Sequence, residues 1–206
     1  MPIEPPSDIL ELRHASTDRA TIVVVPERRM FAIDGVGGPA ATDYHLATET
    51  LRTAADILRA RLAKTVGLET RVGVVECAWW VHPEPGPDEM AAAFADRSAW
   101  HWQQMIEIPA VAADEDALAA IDETRRRAGR AAPLLRLIAF AEGRSAQILH
   151  TGGPATEADS VAKLYHAVRM AGLRPHGHLH ELHLAEPGRV PAGRARTILR
   201  LPIERA

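Results

Sequence analysis

Two short runs hold residues able to do chemistry. In Val72 to Val81 (VGVVECAWWV) one carboxylate, Glu76, lies inside an apolar, β-branched stretch beside Trp79 and Trp80. In His176 to Leu184 (HGHLHELHL) the carboxylate is Glu181, with His183 two residues on. Side chains alternate between the faces of a strand. Glu76 therefore shares a face with Val74, Ala78 and Trp80, leaving Val75, Cys77 and Trp79 on the other, and Glu181 shares a face with Leu179 and His183. A carboxylate in such a strand loses water and needs a partner, a raised pKa or a cationic ligand. Trp80 with Trp100 or Trp102 is placed to sandwich a flat compound, and each aromatic face attracts a cation by roughly 0.5–2 kcal/mol. If Glu76 and Glu181 face one groove, their pKa values are pushed apart, one holding a proton while the other orients water. The competing readings are a tryptophan-rich core with Glu76 at a wet strand edge, and a surface Glu181 paired with Arg189 or Arg200.

Other clusters compete for attention. His176, His178 and His180 alternate, which on a strand puts three imidazoles on one face, an arrangement open to zinc or nickel. Glu181 and His183 would point away from it, and no other His- or Cys-rich run supplies further ligands, so no metal and no cofactor is expected. Cys77, the single cysteine, reads as a small core residue. Arg125, Arg126, Arg127 and Arg130 read as cations complementing the end of a helix. Gly35-Val36-Gly37-Gly38 lacks the lysine and spacing of a phosphate loop.

The elements that must position these residues follow from periodicity and punctuation. Strands are expected at Thr21–Val25, Arg28–Val36, Thr70–Val81, Trp100–Ile108, Leu134–Ala141, Ser145–Thr151, His176–Leu184 and Arg194–Leu201. Helices are expected at Thr42–Thr65, with Leu46, Leu51, Ala54, Ala55, Leu58 and Leu62 inward, at Asp88–Asp96, at Asp114–Arg130 with Leu118 and Ile121 inward, and at Glu157–Met170. The strands flanking Glu142-Gly143-Arg144 read as a hairpin, and Glu186-Pro187-Gly188 as a turn. The order strand pair, helix, strand, strand occurs twice, at about 21–110 and 131–203, after a loose lead-in over 1–20. The fold class is therefore α+β: tandem strand-helix-strand-strand modules related by a pseudo-twofold axis, an antiparallel sheet with helices on one face and a ligand groove on the other.

The chain has 206 residues and a formal net charge of −3, which gives no general attraction to nucleic acid or anionic lipid. No apolar run reaches the length of a membrane span. A cytoplasmic protein, monomer or homodimer, with a small lipophilic ligand and no direct nucleic-acid or membrane partner, is expected.

Five segments in register resemble the gyrase-inhibitor-like (GyrI-like) small-molecule-binding family in its free-standing branch. They are Val25-Pro26-Glu27 with Met30-Phe31 and Ile33-Asp34-Gly35; Glu76 with Trp79-Trp80; Trp102 with Met105-Ile106 and Pro109; Gln147 with Leu149-His150 and Gly152; and His180-Glu181 with Leu184 and Pro187. The resemblance, over about residues 22–202, implies a groove between two modules that takes a flat apolar ligand against a carboxylate. Some relatives are drug-responsive activators and some hydrolyse the cyclopropane of DNA-alkylating natural products. Residues and resemblance together give a candidate site of Glu181, Glu76 and His183 for catalysis and Trp79, Trp80, Trp100, Trp102 and His150, with Glu76 and Glu181, for ligand binding. Two tyrosines usual in the family are replaced here by Pro154 and His183. Three functions follow: binding and sequestration of planar or cationic compounds, hydrolysis of a strained ring, or effector binding beside a regulator.

Overall fold

The computed structural model describes residues 12, 14–67, 69–71, 73–127, 131–185 and 190–206. Its strands are β1 (Thr21–Val25), β2 (Arg28–Val36), β3 (Val75–Trp80), β4 (His101–Glu107), β5 (Arg136–Phe140), β6 (Gly143–Thr151), β7 (Leu173–Pro175), β8 (Leu179–Ala185) and β9 (Arg196–Arg205). Its helices are α1 (Thr42–Thr65), α2 (Met90–Ala95), α3 (Asp114–Arg127) and α4 (Glu157–Met170). The strands form an antiparallel sheet in the order β1-β6-β9-β8-β3-β4-β2-β5, with β7 added on β9. The α+β class and the twofold order of elements are as expected. β3 and β8 pair at the centre, and each half continues outward, through β4 and β2 on one side and β9 and β6 on the other.

The expected hairpin between β5 and β6 is not formed. β5 pairs with β2, and β6 with β1 and β9. Each half thus lends its first strand to the other. This exchange also shapes the sheet. β1 and β2 lie toward opposite ends of the strand order, yet only Pro26 and Glu27 separate them, a link reaching about 11 Å at most. The two margins must therefore meet, and the sheet curls. The physical reason is continuity of pairing: β1–β2 and β5–β6 run as two long bent strands along one another, in one register across both pairs.

α1 buries Tyr44, Ala47, Thr48, Leu51, Ala54, Ala55, Leu58 and Leu62, one stripe at helical spacing. It stops where Gly67 takes φ +67°, a conformation that costs glycine little. Two leucines expected inward are not. Leu46 and Leu118 are 37% and 52% exposed, because the packed stripes run through Tyr44–Ala47–Leu51 in α1 and Ala117–Ala120–Ile121–Thr124 in α3. Arg125, Arg126 and Arg127 end α3 and pair with Asp122 and Glu123 of the same helix. The lead-in is held rather than loose where it is described: Leu149 donates its backbone N–H to Ser16, while Gln147 and Arg200 donate to the carbonyls of His14 and Leu12. Arg130, the 186–188 turn, Arg189 and residues 1–11 lie outside the described residues. Among the described residues no helix is long and apolar enough to cross a membrane.

Candidate functional site

The two carboxylates singled out from the sequence lie on opposite faces of the sheet. Directly opposed residues in an antiparallel pair share a face. Cys77 opposes Glu181, Ala78 opposes His180, and Glu76 opposes Leu182. This register puts Glu181 with Cys77 and Trp79 under the helices, and Glu76 with Ala78 and His180 inside the curl. A single groove shared by Glu76 and Glu181 is therefore not built. Each carboxylate has its own buried cluster.

Inside the curl, Arg28 grips Glu76 with two hydrogen bonds of 2.8 and 2.9 Å. His180 places Nε2 3.2 Å from Glu76 and Nδ1 2.8 Å from Glu142. Glu142 also accepts from Arg200 at 2.9 Å, and Arg28 reaches Glu107 at 3.4 Å. That Arg28 of β2 and Arg200 of β9 both approach Glu142 requires the concavity deduced above. Burial opposes the charge on Glu76, but His180 and Arg28 outweigh it and hold the carboxyl far below its ordinary range. Burial likewise opposes a charge on His180, and Glu142 with Glu76 overcomes it, raising the imidazole pKa. Both Glu76 oxygens are occupied, so this cluster ties strands together and presents no free carboxylate. Beside it lies a cavity of about 240 Å³ lined by Ala78, Phe140, Glu142 and His178 among others.

The aromatic residues gather on the helix side. Trp79 of β3 stacks on Tyr44 of α1 at 5.4 Å, and Tyr44 meets Trp102 of β4 edge-on at the same distance. Phe94 of α2 stands edge-on to Trp79 at 6.5 Å and to Trp100 at 5.5 Å. Glycine at position 35 permits this layout, since a Cβ there would fall 2.1 Å from the Trp102 ring. Glu181 accepts the Trp79 indole N–H at 2.9 Å and lies 3.5 Å from His183 Nε2. Arg97, between α2 and β4, completes the chamber. Its guanidinium carbon lies 4.6 Å from the Trp79 ring centre and 4.1 Å from that of Phe94. It donates to Glu181 and, at 3.2 Å, to Glu157, the first residue of α4.

The electrostatics follow from this crowding. Burial works against the Glu181 charge, yet Arg97, His183 and the Trp79 N–H together keep its pKa below the ordinary carboxylate range. Burial, and then the Glu181 charge, push Glu157 well above it despite Arg97. Of the two carboxyls, Glu157 is thus the one favoured to hold a proton and Glu181 the one favoured to carry the charge opposite Arg97. Burial also lowers His183, so it is a neutral imidazole at neutral pH.

The remaining expected residues divide. Trp79, Trp100, Trp102, Glu181 and His183 are on the helix side together. Trp80 is on the opposite face of β3, stacked between His101 at 5.7 Å and His178 at 4.7 Å, so it makes no sandwich with Trp100 or Trp102. His150 meets Ser160 and the carbonyl of Gly153, fastening β6 to the start of α4. Glu181 pairs with Arg97 and not with Arg200, which turns into the curl. The three alternating histidines are not one face of a strand: only His180 is in β8 and buried, while His176 and His178 precede it and are exposed. Among the described residues no group of three or more His, Cys, Asp or Glu is placed to hold a metal. Pro154 stands in a short 3-10 turn before α4.

Arg97 and Glu157 were not anticipated. Glu157 carries the sequence signal of a first-turn acid complementing a helix dipole, which hides any other role. Arg97, in Asp96-Arg97-Ser98, has the look of a solvated loop cation.

No family model and no curated protein matches the chain. Solved structures do match. An uncharacterized conserved protein from Listeria innocua aligns with a TM-score of 0.81 at 23% identity, over 95% of this chain and 97% of that one. A hydrolase from Listeria innocua aligns with a TM-score of 0.74 at 24% identity, over 95% and 96% of the two chains. The C-terminal domain of EcmrR aligns with a TM-score of 0.59 at 8% identity, over 91% and 98%. At these identities the likeness is one of fold, and it spans nearly the whole chain.

Proposed function

We propose that the protein is a GyrI-like small-molecule binder whose ligand site is the aromatic chamber around Glu181. One observation carries the reading: a flat, delocalised cation already lies there, the Arg97 guanidinium against Trp79 and Phe94 with Glu181 and Glu157 at its edge. A dry site with aromatic walls, whose carboxylate Glu181 is balanced only by the Arg97 guanidinium, suits planar lipophilic compounds, cationic ones foremost. Sequestration of such compounds is the biological role this supports. The test is quenching of tryptophan fluorescence during titration with planar lipophilic cations and their neutral isosteres. The expected result is saturable quenching that favours the cation, with the preference lost in Glu181→Gln. Absence of quenching and of thermal stabilisation by every planar compound, with the protein folded, refutes it.

A second reading, hydrolysis of a strained electrophilic ring, is favoured by Glu181 and His183 standing 3.5 Å apart with His183 neutral. A neutral imidazole can take a proton from a water that the carboxylate aligns. His183 stands where the family resemblance places a phenol, and the hydrolase among the proteins of like fold is consistent with this chemistry. Mass spectrometry of a cyclopropanoid compound after incubation distinguishes the two: addition of one water, lost in His183→Phe, marks turnover, and unchanged compound marks binding alone.

A further inference from the structure

The Arg97 head group defines the ligand more narrowly than an aromatic box does. It is planar, it meets one indole and one phenyl ring, and it gives one N–H edge to each of two carboxyl groups. It is 7% exposed, on the segment that joins β3 to β4. The guanidinium itself fills the place between the Trp79 and Phe94 rings and the two carboxyl groups. A ligand cannot enter while Arg97 is seated.

We propose that the chamber is a receptor for planar monocations of the amidinium or guanidinium type, and that Arg97 is an internal stand-in for that ligand which the ligand must displace. This rests on the functional reading above and narrows it. The planar shape follows from the ring contacts at 4.1 and 4.6 Å. The edge donors follow from Glu181 and Glu157 lying side by side at the guanidinium rim. The single charge follows from replacement: the incoming group takes over the counter-ion that Arg97 leaves. The titratable and charged groups facing the site include Glu181 and His183 from β8, Glu157 from α4, Tyr44 from α1, Cys77 from β3 and Arg97 itself, with Arg52 of α1 acting on His183.

A built-in competitor weakens apparent affinity by the fraction of time the site is vacated. If the vacated form is populated at about 1–10%, Arg97→Ala should bind about ten- to a hundredfold more tightly than the parent. The experiment titrates parent and Arg97→Ala with methylguanidinium and benzamidine. Benzamide serves as neutral isostere and tetramethylammonium as non-planar cation, and thermal shift and tryptophan fluorescence are the readouts. Saturable stabilisation of Arg97→Ala by the two planar cations and by neither control, with the parent responding only at higher concentration, is the expected result. Recovery of a poorly folded Arg97→Ala by methylguanidinium supports the same conclusion. The triple variant R97A/E157Q/E181Q, which leaves neither carboxyl as counter-ion, should fold and should not respond to the cations. Equal or weaker binding by Arg97→Ala overturns the proposal, as does a response of R97A/E157Q/E181Q equal to that of R97A. If either happens while the parent still binds another planar compound, the broader functional reading survives. If no planar compound binds parent or variant, both fall.

Discussion

Replacing Glu157 and Glu181 one at a time and together tests the proton shared in the chamber. In Glu157→Gln the amide takes the place of a carboxyl already held neutral by burial and by the Glu181 charge. The loss at pH 7 should be no more than about 1 kcal/mol, the net worth of one hydrogen bond. The sign of its pH dependence is fixed. A carboxyl whose folded pKa is raised contributes stability that is complete below about pH 4.5 and lost as pH rises through the folded pKa. Glu157→Gln should therefore gain on the parent as pH increases. In Glu181→Gln burial still raises the Glu157 pKa, but the Glu181 charge no longer adds to it, so Glu157 should ionise at lower pH than in the parent and serve as counter-ion of Arg97 at 3.2 Å. The loss should be about 1–2 kcal/mol, mainly the weakened Trp79 and Arg97 hydrogen bonds. In the double variant Arg97, 7% exposed, has no anion beside it in the chamber. Breaking a buried pair in this way costs about 3–5 kcal/mol. The pair should thus couple by about 1–3 kcal/mol, the double loss exceeding the sum of the singles. For a chain of this length that corresponds to a fall in Tm of about 6–20 °C for the double variant. Urea unfolding followed by fluorescence of the buried Trp79 and Trp102 reads all three. Strict additivity, or Glu157→Gln alone costing as much as the double, refutes proton sharing and makes both carboxylates permanent anions.

Gly35→Ala should cost about 2–3 kcal/mol, the scale of an overpacked core, because its Cβ would fall 2.1 Å from Trp102 on the opposing strand; near-ultraviolet circular dichroism should report the displaced indole, and an unchanged spectrum and stability would contradict the packing described. His180, raised in pKa between Glu142 and Glu76, contributes stability that is complete below about pH 6.5 and lost as pH rises through its folded pKa. The advantage of the parent over His180→Gln in urea unfolding should therefore shrink as pH rises above about 6.5, the direction set by linkage.

The sequence by itself determined the elements and the faces of each strand. Helical spacing marked α1 and α4 at Thr42–Thr65 and Glu157–Met170, and strand parity put Glu76 with Trp80 and apart from Trp79. Both follow from local geometry, since a period of 3.6 or 2 is written in neighbouring residues. Only the tertiary structure decided which face the helices cover and how β3 and β8 register. A one-residue difference in register transfers a side chain to the other face, and here it sets Glu181 against Cys77 and leaves Glu76 inside the curl. It also decided the partners. Glu181 meets Arg97 from 84 residues away and Trp79 from 102, and Glu76 meets Arg28 from 48. No local period encodes those distances. They are set by strands exchanged between the halves and by a sheet whose margins two linking residues draw together. The chamber and its resident cation come from the β3–β8 register together with the segment between α2 and β4 and the start of α4, which meet over it.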